Sequence, residues 1–194
     1  FDGATGKLVK DGPAPGDFAS VAAAMPAGGT TGQILAKASN ANFDGEWISP
    51  IEEVVGTFTP SMRGETTAGS PSFAINYAIF RKLGKLVWIM IRLGLATGGK
   101  GGMAGNIRVT GLPFAAKSDA DAFVPITASY LYVDLPSGYT TPHVFLRPGT
   151  TEISLGAQGD NVVAVNLTDA VLDDVGTAGA QTTVLYIAGS YLTD

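Results

Sequence analysis

Side chains that could hold a ligand are concentrated in one short segment of the chain. Five of them surround the turn at residues 135–138, namely Tyr130, Tyr132, Asp134, Tyr139 and His143. An aromatic face stacks on the apolar C–H surface of a sugar ring, and a carboxylate accepts hydrogen bonds from hydroxyl groups. These five residues are therefore the predicted ligand-binding site. Tyr130 and Tyr132, two positions apart on a predicted strand, equally fit packing in a core or against a neighbouring subunit.

Catalytic and metal-binding chemistry has little support in the sequence. The chain has no cysteine and one histidine, His143, and no Gly-x-Ser-x-Gly elbow accompanies it. On a strand, the adjacent acids Glu52–Glu53 and Asp173–Asp174 would point to opposite faces rather than across a cleft. We therefore predict a protein that is not an enzyme, with no catalytic residues, no metal and no cofactor. The alternative is an acid pair in which Asp134 or Asp160 meets another acid across loops or between subunits.

The composition is typical of an all-β protein with many turns. Among 194 residues, 45% are hydrophobic, only 15% are charged, and there are 26 Gly and 11 Pro. A disordered chain would be more charged and less apolar, and a chain of this length can bury a core without disulfides. Residues 115–194 carry two Lys or Arg against nine Asp or Glu, so we expect no nucleic-acid partner there.

No membrane insertion is expected, because the longest apolar run, residues 86–91, is far shorter than the roughly 20 residues that cross a bilayer. The chain begins at Phe1 without an initiating Met or a signal peptide. We therefore expect it to be a piece of a longer protein.

Short apolar runs alternate with turn residues along the rest of the chain. This spacing predicts an antiparallel β-sandwich, jelly-roll-like, over residues 54–194. The predicted strands are 54–59, 73–80, 85–95, 123–127, 129–134, 143–146, 152–155, 162–165 and 182–191, and residues 107–114 are predicted to be a strand followed by a turn. One helical turn is predicted within each of the polar stretches 115–122 and 167–175. The Gly-rich segment 97–106 lacks the phosphate-loop pattern and is predicted to be a connection between strands.

The predicted strand at 85–95 is unusual because both of its faces are apolar. Val87, Ile89 and Ile91 share one face, whereas Trp88 and Met90 lie on the other. In a strand with one solvent-exposed face, apolar residues would alternate with polar ones. We therefore expect both faces of this strand to be covered by protein. The second face is covered either by a neighbouring subunit or by a loop or helix of the same chain.

Two further segments precede the predicted sandwich. Residues 28–53 are predicted to form a β-hairpin neck, in which a polar turn at 39–42 joins an apolar strand to a second strand ending at Trp47. Residues 1–27 are predicted to be an extended connector with a short helix that Asp17 caps and Pro26 ends.

Several of these segments, in this order, resemble the C-terminal β-domain of bacteriophage tail fibres and tail spikes. The matching segments are the hairpin 28–49, Gly56-Thr57-Phe58-Thr59-Pro60, the Tyr77 to Val87 hairpin, Ile107 to Phe114 and the closing Gly189 to Thr193. Phe58 stands where the family pattern usually has Trp.

The resemblance implies a virion protein exposed to the extracellular medium. It implies an intertwined homotrimer at a fibre tip that binds a bacterial surface polysaccharide or lipopolysaccharide, with other virion proteins attached on the N-terminal side. The alternatives are a head, neck or collar fibre with an assembly role only, part of a polysaccharide-depolymerising spike, and a free-standing monomeric lectin module.

Overall fold

The computed structural model describes residues 28–40, 45–119, 124–160, 162–173 and 182–194. The chain divides between Glu52 and Glu53 into two compact units, which are described separately. The connector and short helix predicted for residues 1–27 lie outside the described residues.

The first unit contains a two-stranded hairpin. Strand β1 (Ile34–Lys37) pairs antiparallel with β2 (Gly45–Ile48), so that Leu35 lies opposite Trp47. The Trp47 ring packs so closely on Gly29 that a Cβ atom there would lie 2.6 Å from the indole. Only glycine fits this approach, which explains the Gly that precedes the hairpin.

In its described residues the second unit is all-β and carries ten strands. These are β3 (Glu53–Thr57), β4 (Ser61–Gly64), β5 (Phe73–Leu83), β6 (Leu86–Leu95), β7 (Ile107–Thr110), β8 (Val124–Leu131), β9 (Thr141–Leu146), β10 (Ile153–Gly159), β11 (Val162–Asn166) and β12 (Val184–Leu192). One 3-10 turn, Asp169–Val171, lies within the stretch 167–175 where a helical turn was predicted. Among the described residues there is no α-helix.

The ten strands form one antiparallel sheet that bends at β8. The order is β3-β5-β6-β12-β8-β9-β10-β7-β4, with β11 added to β10. The start of β8 (124–126) pairs with β9, whereas its end (127–131) pairs with β12. We call β3-β5-β6-β12-β8 the first half-sheet and β8-β9-β10-β7-β4 with β11 the second half-sheet. The predicted all-β, antiparallel, sandwich-like fold is confirmed.

The two half-sheets enclose one hydrophobic core. The inward side chains of β6, such as Ile89 and Leu93, pack in the same cluster as Ile153 and Leu155 of β10, and all four are 0% exposed. Burial of one such side chain stabilises the fold by about 1.5–3 kcal/mol relative to leaving it in water. In β6 the period-two pattern of the sequence selects one face of the strand for the core.

Some elements differ from those predicted. Strand β4 was missed because it is only four residues long and interrupts its apolar pattern with Arg63, which faces outward. The two strands predicted at 123–127 and 129–134 are one continuous strand, β8, because Ser129 and Thr127 lie on its outer face and do not interrupt the ladder. In the described part of the stretch 115–122 there is no helical turn.

Candidate functional site

Tyr130 is half-buried and packs against the core of the sandwich. It points inward near the end of β8, and its hydroxyl donates a hydrogen bond to the carbonyl oxygen of Gly156 on β10 at 3.3 Å. Burial raises the pKa of the Tyr130 hydroxyl, because the charged phenolate would lose its hydration. The side chain therefore joins the two half-sheets across the core.

Tyr132 departs from the strand that carries Tyr130. Strand β8 ends at Leu131, and Tyr132 is the single non-glycine residue with a positive φ, +56°, among the described residues. The left-handed conformation is costly for a residue with a Cβ atom, by about 1–2 kcal/mol. It breaks the alternation along the strand, so the Tyr132 side chain is 49% exposed whereas Tyr130 is half-buried.

Tyr132 and Asp134 line an open depression of about 570 Å³. Lys100 and Asp173 lie in the same wall, and the apolar lining comes from Val133 and residues 170–172. Asp134 is exposed, while Lys100 and Asp173 are half-buried. An aromatic ring, two carboxylates and one ammonium group therefore meet around a partly apolar surface.

Backbone hydrogen bonds fix the wall of this depression. The Thr183 hydroxyl, which is fully buried, donates to the Tyr132 carbonyl at 2.8 Å and accepts from the Asp173 amide at 2.7 Å. The Asp134 amide donates to the carbonyl of Val171 at 2.9 Å. One buried hydroxyl thus holds together two chain segments that carry functional side chains.

The other two predicted site residues lie elsewhere and do not line the depression. The Tyr139 hydroxyl donates to the carbonyl of Val163 on β11 at 3.0 Å. His143 lies on β9 with its ring 5.6 Å from that of Phe145, centroid to centroid. Of the five predicted residues, the structure brings together Tyr132 and Asp134. Sequence reasoning did not find Lys100 or Asp173, since each reaches the depression from a distant segment.

A second candidate surface is the outer face of the first half-sheet. Large apolar side chains point outward from all five strands and are 37–62% exposed, namely Val55, Tyr77, Leu83, Leu86, Trp88, Met90, Leu131, Tyr186 and Leu192. Register places Leu83, Leu86 and Leu192 in one row across three strands. We call this surface the apolar outer face. Monomeric proteins rarely expose so extended an apolar patch.

Charges on the apolar outer face have partners within the chain. Arg81 forms an ion pair with Glu53 at the edge of the half-sheet, with Nε 2.9 Å from the carboxylate. The Arg92 guanidinium lies 5.4 Å from the centre of the Tyr186 ring, a cation–π distance. Arg81 lies opposite Trp88, and between the two arginines register places an apolar row of Ile79, Met90 and Ala188.

The outer face of the second half-sheet carries a cluster of ion pairs. Arg63 binds Glu152 with two nitrogens at 2.8–3.0 Å, and Arg108 on the neighbouring strand binds Glu65 and the Ser154 hydroxyl. Arg108 is only 6% exposed. Its hydrogen bond lowers the pKa of the Glu65 carboxyl below the ordinary value of 4.5, with a smaller contribution from Asn106. We call these residues the ion-pair cluster.

The described part of the chain shows neither a metal site nor a membrane-spanning helix. No group of three His, Cys, Asp or Glu side chains there has the arrangement of a metal site. None of the helices described has the length and apolar character that a membrane crossing requires.

Comparison with known proteins rests on the fold. No family model and no curated protein sequence matches the chain. The fold is similar to that in the crystal structure of the Dettilon tailspike protein, with a TM-score of 0.55 and 18% sequence identity. The match covers 72% of this chain and 23% of the tailspike chain, so this chain spans about a quarter of that protein. At this identity the likeness shows a shared fold, and function has to be argued from the surfaces.

Proposed function

We propose that the chain is part of a bacteriophage tail fibre or tail spike, in which three copies form a trimer that binds a glycan on the bacterial surface without cleaving it. The observation that carries the proposal is the fold likeness to a tailspike protein over 72% of the chain. The ordered motifs that resemble phage fibre proteins support the same assignment independently, because they come from the sequence alone.

The apolar outer face supports assembly. Met90 and Trp88, in the middle of that face, are 37% and 40% exposed in the single chain. Each Å² of apolar surface removed from water stabilises an assembly by about 25 cal/mol, less the cost of association. Three copies that meet along this face would cover the second side of β6, the strand whose two apolar faces the sequence already displays.

A trimer also suits a site that binds its glycan weakly, when the bacterial surface carries many copies of that glycan. Each copy presents one depression with Tyr132 and Asp134, so a trimer presents three. Linked sites raise the overall avidity well above the affinity of one site when their ligands are closely spaced, as on a polysaccharide coat. The N-terminal side of the chain then connects to the rest of the virion.

The first experiment measures the mass of the chain in solution by size-exclusion chromatography with light scattering. The proposal expects three times the chain mass of 19.8 kDa. A monomer at all concentrations would contradict the trimer and would favour an isolated binding module.

A second experiment separates the remaining functions. The fluorescently labelled chain is mixed with a panel of bacterial strains, and purified lipopolysaccharide from any labelled strain is then incubated with the chain. We expect labelled cells and a polysaccharide of unchanged length. Shortened chains would indicate a depolymerase, and the absence of labelling on every strain would indicate a role in assembly only.

A further inference from the structure

We infer that the depression lined by Lys100, Tyr132, Asp134 and Asp173 is a subsite for one neutral or amino sugar, with the Tyr132 ring as its stacking platform. This inference rests on the proposed function. It adds the class of sugar and the residues that bind it.

The backbone of Tyr132 is the first argument. At φ +56°, glycine or asparagine would be accommodated at little cost, whereas a tyrosine is strained. Strained residues of this kind cluster at binding and active sites, where a side chain is needed in one particular direction. Here the direction is outward, since the ring is 49% exposed.

The rigidity of the wall is the second argument. The Thr183 hydroxyl fixes the Tyr132 carbonyl and the Asp173 amide, and the Thr183 amide donates to the Asp173 carbonyl at 2.8 Å. Val133 and Leu172 form a β-bridge between the same segments. A binding site that is ordered before its ligand arrives loses less conformational entropy on binding.

The chemistry of the lining selects the ligand. The exposed Tyr132 ring offers a face for the C–H surface of a pyranose, and the exposed Asp134 carboxylate can accept hydrogen bonds from hydroxyl or ammonium groups. Among the described residues of the lining, two carboxylates and one ammonium group leave a net negative charge. This charge disfavours uronic acids and favours neutral or protonated amino sugars. The depression is open, so it would contact one side of a sugar ring rather than enclose it.

The test compares the full chain with two variants on an array of bacterial lipopolysaccharides and capsular polysaccharides. Tyr132→Gly removes the ring and relieves the backbone strain, so we expect about tenfold weaker binding to the glycan that the wild type binds. We expect no loss of thermal stability. His143→Ala alters a predicted residue outside the depression and should bind like the wild type.

Free glucose, glucosamine and glucuronate then compete for the same wild-type complex. We expect glucose or glucosamine to inhibit and glucuronate to inhibit least. Stronger inhibition by glucuronate would overturn the assigned sugar class.

The outcomes separate this inference from the proposed function. Wild-type binding that survives Tyr132→Gly, or that is lost in His143→Ala instead, overturns the subsite and leaves receptor binding intact. A wild type that binds no glycan on the array overturns both.

Discussion

The two half-sheets share one core, yet their outer faces are made of different residue types. The apolar outer face of the first half-sheet centres on Trp88 and Met90, whereas the second half-sheet carries the ion-pair cluster around Arg108. Each charge of that cluster has a partner within the chain. The side chains of the apolar outer face have no comparable cover among the described residues.

The difference indicates which surface is stable in water and which is not. Paired charges keep contact with solvent at their edges, and Glu65 is still 44% exposed. Exposed leucine, methionine and tryptophan side chains gain free energy when another surface removes them from water. This contrast is the reason why the proposed trimer has its subunit contact on the first half-sheet, with the second half-sheet facing solvent.

The largest effects are expected from two single variants that introduce lysine at adjacent positions of β6. Ile91 is 1% exposed and Met90 is 37% exposed. Ile91→Lys buries a charge in the core, so we expect the chain to fail to fold. Met90→Lys places the charge on the apolar outer face, and we expect a folded monomer in place of the trimer.

Circular dichroism and light scattering on both variants check this pair. A Met90→Lys protein that remains a trimer would move the subunit contact away from the apolar outer face. An unfolded Met90→Lys protein would show that the face is needed for the fold of the single chain.

An intermediate effect is expected from the two arginine ion pairs. Arg108→Ala removes a nearly buried side chain together with its hydrogen bonds to Glu65 and Ser154, so we expect it to lower the free energy of unfolding more than Arg81→Ala does. Arg81→Ala breaks the exposed pair with Glu53, for which we expect about 0–1 kcal/mol. Urea unfolding of the two variants measures the difference. Equal losses would contradict the distinction between the two faces.

The smallest effect is a pH dependence confined to the ion-pair cluster. Because Arg108 holds the pKa of the Glu65 carboxyl below 4.5 in the folded chain, Glu65 stabilises the fold fully above that value. The contribution is lost as the pH falls through the lower, folded pKa. We expect Glu65→Gln to flatten the acid side of a plot of urea midpoint against pH. If Glu65→Gln kept the wild-type slope of urea midpoint against pH, the Arg108–Glu65 pair would make no pH-dependent contribution to stability.

Much of the fold was predictable because it depends on local pattern. Alternating apolar residues and turn residues predicted the strands of the sandwich. The two apolar faces of residues 85–95 predicted that both faces would be covered, whereas Trp88 and Met90 on the second face are 40% and 37% exposed in the single chain. Strand β4 was not predictable by the same means, since four residues with an outward arginine carry no clear period. The division of the chain at 27 and 53 remains a prediction.

The candidate site was predictable only in part. Tyr130 and Tyr132 are spaced for one strand face, but the left-handed backbone at Tyr132 sends them to different places. That conformation is not encoded by the neighbours of Tyr132 in sequence. It is held by Thr183, 51 residues away, whose hydroxyl bonds to the Tyr132 carbonyl.

The sequence by itself determined the fold class, the inward face of each long strand and the aromatic, weakly charged chemistry of the chain, because these follow from composition and from a period of two residues. The tertiary structure decided which distant side chains meet. Arg63 and Glu152 lie 89 residues apart and pair only because β4 and β10 both flank β7. Contacts of this kind depend on strand order, and strand order depends on the packing of the whole core rather than on any local segment.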